Sequence, residues 1–89
     1  MTPRACRLDT THRSIVNALE RAGYRCQSLA AVGRGCPDLI VSKGGSLWMI
    51  ECKSPGGKLN DAQMRWHMEW PTKVYVASTP EEALEAVKR

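Results

Sequence analysis

The sequence predicts an α/β fold, a mixed β-sheet flanked by helices in the order α-β-β-β-α-β-α, and three observations lead there. Two runs rich in strand-forming residues, Leu39-Ile40-Val41 and Leu47-Trp48-Met49-Ile50, flank Gly44-Gly45. A glycine pair in that position marks a two-residue hairpin, because primed turns need positive φ and glycine adopts it freely. Upstream, Ile15, Leu19 and Ala22 recur at helical spacing, with Val16 and Ala18 broadening the stripe. Downstream, Thr79-Pro80-Glu81-Glu82 supplies an N-cap, a proline at the first helical position and an acid at the third, a near-complete capping box.

In chain order, residues 9–22 read as the first helix, with Asp9, Thr10 and Thr11 as capping chemistry and Gly23 as its stop. Residues 24–29 alternate as a strand, and residues 30–35 form a loop ending in Arg34-Gly35. The hairpin follows. Both of its faces are largely apolar, as befits central strands covered by helices. Ser54-Pro55-Gly56-Gly57-Lys58 is a loop; Asn60 or Asp61 then caps a helix that runs to about Trp70 and stops at Pro71. Trp66 is assigned to the core and Trp70 to the core or a dimer contact, while His12 and His67 read as ordinary histidines. Residues 73–77 form the last strand, and Ala83, Leu84 and Val87 pack the last helix on the sheet.

Bulk properties narrow the function classes. The 89 residues make room for one domain, 1–89, with a small core; chains near this size bury only about 60% of their unfolded surface, so a dimer is a natural support. No apolar run approaches the ~20 residues of a membrane span, and the first residues lack the apolar core of a secretory signal. The four cysteines, Cys6, Cys26, Cys36 and Cys52, show no metal-ligand spacing. Cys26 and Cys52 read as small strand hydrophobes in a reducing cytoplasm. Net charge is +4, and residues 1–60 carry nine Lys and Arg against four acids. That imbalance fits a partner rich in phosphates.

The chemistry concentrates on the hairpin. With Gly44 and Gly45 as turn residues, Lys43 faces Ser46 and, stepping outward, Asp38 faces Glu51, with Lys53 on the same face as Glu51. Facing carboxylates repel, and a divalent cation relieves them: hard oxygen ligands suit Mg²⁺ or Mn²⁺. A lysine two residues beyond adds a fixed positive charge, which is the composition of a phosphodiester-cleaving site. The bland alternative is a salt-bridge network in which Lys53 neutralises one carboxylate. Lys58 in its glycine-rich loop lacks the spacing of a nucleotide-binding P-loop.

Pro37-Asp38, a hairpin, and Glu51-Cys52-Lys53 resemble the PD-(D/E)XK nuclease signature. Within that superfamily, Gly35-Cys36-Pro37-Asp38-Leu39, Ile50-Glu51-Cys52-Lys53 and Lys58-Leu59-Asn60-Asp61-Ala62-Gln63 are similar to the VRR-NUC (virus-type replication-repair nuclease) domain, in its small stand-alone phage or prophage form. The resemblance runs from about Asp9 to the last helix and implies a restriction-endonuclease-like fold. It implies a metal-dependent DNA endonuclease in which Asp38, Glu51 and the main-chain carbonyl of Cys52 hold Mg²⁺ or Mn²⁺. Lys53 acts on the attacking water, and Gln63 orients that water or Lys53. Asp9 is a further metal-site candidate, with a helix cap as its equal alternative; Glu20 reads as a solvated charge. Arg34 and Lys58 are the nucleic-acid-binding candidates. The resemblance further implies a homodimer acting on branched DNA such as a Holliday junction, encoded by phage or prophage and working in the bacterial cytoplasm. A non-catalytic nucleic-acid-binding module of the same fold, and a nuclease on linear or single-stranded nucleic acid, are the competing readings.

Overall fold

Gly44 and Gly45 close the hairpin with φ of 59° and 88°, the two positive values that a type I′ turn requires. Strand β2 (Leu39–Lys43) pairs antiparallel with β3 (Ser46–Cys52), and the ladder runs from Lys43↔Ser46 to Leu39↔Ile50. This is the register expected from the sequence. The computed structural model describes the backbone of residues 3–89 and the side chains of residues 10–89.

Strand β1 (Arg25–Ser28) lies antiparallel on the other side of β2, and β4 (Val74–Ala77) runs parallel to β3, so the sheet order is β1-β2-β3-β4. Helix α1 (Pro3–Arg21) and helix α3 (Pro80–Ala86) cover one face of the sheet; helix α2 (Asp61–Glu69) lies against the other. The element order is therefore α-β-β-β-α-β-α, an α/β mixed sheet flanked by helices.

The core occupies the α1–α3 side. Ile15 and Leu19 of α1, Leu39, Val41, Ile50 and Ala77 of the sheet, and Ala83 and Val87 at α3 are buried together. Burying each large aliphatic chain stabilises by about 1.5–3 kcal/mol. The helix pattern read from residues 15 and 19 is therefore the packing stripe. At its end, Gly23 turns with φ 95°, Tyr24 N–H donates to the Leu19 carbonyl and Gly23 N–H to that of Glu20, the paired bonds of a Schellman stop. Lys43 donates to the Ala22 carbonyl at 2.9 Å and lies over the Tyr24 ring. Its charge thus meets the negative end of α1.

Three expectations need correction. Helix α1 begins at Pro3, six residues before Asp9, because proline is tolerated in a first turn and nothing after it breaks the helix. The backbone of Asp9 is thus inside the helix and does not cap it; its side chain, like that of Cys6, lies outside the described residues. Trp66 is half-buried and outside the core cluster, and Trp70 is 53% exposed, so neither is a core residue. At α3, Thr79 Oγ1 accepts from Glu82 N–H, but the Glu82 carboxylate reaches back to Ser78 N–H instead of that of Thr79. The box closes one residue early.

Candidate active site

Asp38 and Glu51 stand one step beyond the last hairpin pair, at the end of the hairpin away from the glycine turn. Asp38 is fixed from two sides. Its main-chain carbonyl accepts from Leu29 N–H at 2.7 Å, which carries the β1–β2 pairing one residue further. Its Oδ2 accepts from the main-chain N–H of Cys52 at 2.8 Å. Pro37, fully buried just before it, fixes the approach of the chain.

Glu51 lies on β3 between β2 and β4 and is only 1% exposed. Burial is the main cause that raises its pKa from 4.5 to about 8; the hydrogen bond and the charge of Asp38 add to the rise, and Lys53 works against it. Loss of water disfavours the charged carboxylate, and a nearby like charge disfavours it further. Its Oε2 accepts from Gln63 Nε2 at 3.0 Å. Its Oε1 is buried, and no N–H or O–H of the described residues donates to it. An orphaned buried carboxylate oxygen calls for an explanation.

Gln63 reaches Glu51 because α2 is locked at its start. Asn60, in an extended conformation, accepts from Gln63 N–H, and the Gln63 side-chain oxygen accepts from Asn60 N–H. This reciprocal capping box spends the oxygen of the amide on the helix and leaves its nitrogen for Glu51. The same turn is pressed against the loop before Asp38. Gly35 has φ 82°, and a Cβ there would run into the Ala62 carbonyl and stand 2.9 Å from Gln63 N. Only glycine allows that approach.

The structure thus brings Asp38, Glu51 and Gln63 into one hydrogen-bonded cluster, with Cys52 supplying main-chain contact and Lys53 close enough for its charge to act on Glu51. Gln63 bonds Glu51, not Lys53. Burial also pushes the Cys52 thiol up to about 12, with Asp38 and Glu51 contributing, so it stays protonated at neutral pH. Lys58 is exposed in the loop after β3, and Arg34 is exposed at φ 58° between Gly33 and Gly35. Glu20 is exposed on α1. The Asp38–Cys52 bond and the capping-box share of Gln63 escape sequence reading, although the Asn-x-x-Gln spacing is the signal for the latter.

Among the described residues no group of three or more His, Cys, Asp or Glu is placed to hold a metal. The donor set is two carboxylates, which fits a hard cation whose remaining ligands are main-chain oxygen, water or substrate phosphate. Glu51 Oε1, which no donor reaches, fits the same reading.

The sequence profile of the VRR-NUC domain matches residues 4–86. The chain belongs to the VRR-NUC family. A solved structure described as a VRR_NUC domain has the same fold, with a TM-score of 0.72 at 23% identity over 90% of this chain and 92% of that one. No curated protein matches the chain. Family membership makes this a nuclease-type domain, for which nucleic acid is the expected substrate. No helix among the described residues is long and apolar enough to cross a membrane.

Proposed function

We propose that this VRR-NUC domain is a metal-dependent DNA endonuclease whose site is Asp38, Glu51, Lys53 and Gln63, with branched DNA as its preferred substrate. The observation that carries this reading is the Asp38–Glu51 pair, in which buried Glu51 keeps one oxygen that no donor reaches and a lysine stands beside it. Adjacent carboxylates repel, and either a proton shared between them or a bound cation relieves the repulsion; the cation is the state that gives the pair a chemical use. Asp38, Glu51 and the main-chain carbonyl of Cys52 would hold Mg²⁺ or Mn²⁺; the side chain of Asp9 is a further contributor to test. When bound, the ion supplies a water of lowered pKa and offsets charge on the scissile phosphate.

The chain's own groups do the rest. Lys53 places a positive charge beside the carboxylates, where it positions the attacking water and stabilises charge developing on the phosphate oxygens. Gln63 holds Glu51 in one orientation through its Nε2–H, and so keeps the oxygen that faces the reaction fixed. Arg34, on the loop before β2, and Lys58, on the loop after β3, are both exposed and draw the phosphate backbone. A homodimer would present two such sites to a four-way junction by matching two-fold symmetry.

The test is nicking of labelled four-way junction, flap, duplex and single-stranded DNA with Mg²⁺, Mn²⁺ or EDTA, using Lys53→Ala and Asp38→Asn as controls. Expected are metal-dependent cuts at the junction that both substitutions abolish. Equal cutting of every substrate would remove the branched-DNA claim. Binding without cleavage in any metal would leave a nucleic-acid-binding module.

A further inference from the structure

Beside the carboxylates lies a second feature that the nuclease reading leaves unused. The indoles of Trp66 and Trp70 stack at 4.9 Å between centroids and 12° between planes. Trp66 is half-buried and Trp70 is 53% exposed. An indole backed by another indole is held in place, and its exposed surface is a rigid aromatic platform. The pair lines a groove of about 540 Å³ between α2 and the loop before β2, with Val32, Met49, Arg34 and Glu69 among the walls. That volume is within the ~300–1,000 Å³ typical of small-molecule sites.

The groove adjoins the carboxylates. Met49 is two residues from Glu51 on the same strand face, and Cys36, also on the groove wall, is two residues before Asp38. The Cys36 thiol is raised by burial first, then by the charges of Glu51 and Asp38, so the two spaces share an electrostatic environment. The charges on the walls are few and opposed. Arg34 is held in the left-handed region at φ 58° between two glycines that also have positive φ, a costly backbone state for a non-glycine residue. Glu69 is the single acid on the wall. A nucleotide needs an aromatic face for its base, a cation for its phosphate and a polar group at the base edge, and the wall offers each of these.

We propose that this groove holds an unpaired base of the DNA being cut, stacked on Trp70, with Arg34 on the adjoining phosphate and Glu69 accepting from the base's exocyclic amine. The proposal rests on the DNA-nuclease reading and adds a substrate requirement to it: a nucleotide free of its partner next to the scissile phosphate. Stacking tolerates any base, while Glu69 favours cytosine, adenine or guanine over thymine, which has no exocyclic amine.

The test uses the full chain in EDTA, so that binding is read without cleavage, and a branched duplex carrying 2-aminopurine at each position near the branch in turn. Quenching is expected at one position and is lost in Trp70→Ala but kept in Trp70→Phe. Affinity for DNA with an unpaired nucleotide falls about tenfold or more in Trp70→Ala, in line with the usual contribution of one base–aromatic stack. Affinity for fully paired duplex does not change. An abasic nucleotide at that position erases the difference between wild type and Trp70→Ala, and Glu69→Gln erases the discrimination against thymine. The aminopurine scan on the unaltered protein and the Glu69→Gln comparison survive even if Trp70→Ala folds poorly, because neither uses that variant. Absence of quenching at every position overturns the proposal. So does a Trp70→Ala protein that binds all DNA normally but sediments as a smaller species, which would make the groove a contact between copies. Quenching without cleavage in any metal would instead defeat the nuclease reading; cleavage without quenching defeats the stacking site alone.

Discussion

Glu51 is a carboxylate held almost wholly away from water, and that placement sets the pH behaviour of the protein. The folded chain keeps a proton on Glu51 up to about pH 8, whereas the unfolded chain releases it near the ordinary 4.5. Folding therefore takes up a proton between those values, and the contribution to stability is full below about 4.5 and is lost as pH rises towards 8. Thermal melting in EDTA is expected to show a midpoint that falls between pH 5 and pH 8, and Glu51→Gln is expected to flatten that slope. Mg²⁺ or Mn²⁺ should oppose the fall, because a cation requires the ionised carboxylate and displaces its proton. An unchanged slope in Glu51→Gln would place the titration elsewhere. Gln63 is a second residue with a measurable share. Gln63→Ala removes the donor to Glu51 and half of a capping box, with an expected loss of about 1–3 kcal/mol from the stranded buried oxygen. Denaturant titration reads it.

The elements carry the site through a few close contacts. Gly35 lets the loop before β2 touch the first turn of α2, so Gly35→Ala must both strain a positive-φ backbone and push against the Ala62 carbonyl. The expected result is a loss of nuclease activity much larger than the loss of stability, since the helix can retreat but Gln63 then leaves Glu51. Kinetics and melting on the same variant separate the two. Thr79→Ala is the contrasting case: it removes the α3 cap, should cost about 1 kcal/mol of stability, and should leave activity as it is. Most of this was legible from residues. The hairpin register, and with it the Asp38–Glu51 pairing, followed from two glycines and strict alternation. The Schellman stop at Gly23 and the cap at Asn60 also had local signals. The start of α1 was not legible, because capping-type residues at positions 9–11 look the same in mid-helix as at a start. Nor was the fate of Trp66 and Trp70, because aromatic residues at helical spacing read as core unless one knows that α2 buries no residue on its side of the sheet.

At the scale of the whole molecule, charge and layering act together. The net +4 charge predicts DNA affinity that falls steeply with salt. Arg34→Ala and Lys58→Ala should each reduce the slope of log affinity against log salt by about one if each side chain neutralises a phosphate. Among the described residues the hydrophobic core lies on the α1–α3 side of the sheet, and the proposed site residues lie on the α2 side or at the strand ends. A substitution in the hydrophobic core should therefore act on stability without touching the proposed site. Leu19→Ala, on the core side, should destabilise by about 2–5 kcal/mol while the folded fraction keeps its normal turnover per active molecule.

The run from Asp38 to Gln63 holds every side chain of the proposed cluster and folds back on itself, Asp38 accepting from Cys52 N–H and Glu51 from Gln63. The proposed chemistry is thus written as one uninterrupted cassette, closed by its own contacts, while the segments before and after it supply a platform. Such an arrangement is portable. New domains can be spliced onto either flank, or into the exposed turn at residues 71–73, without dividing the cassette, whereas an insertion of equal length between residues 38 and 63 has to be accommodated inside it.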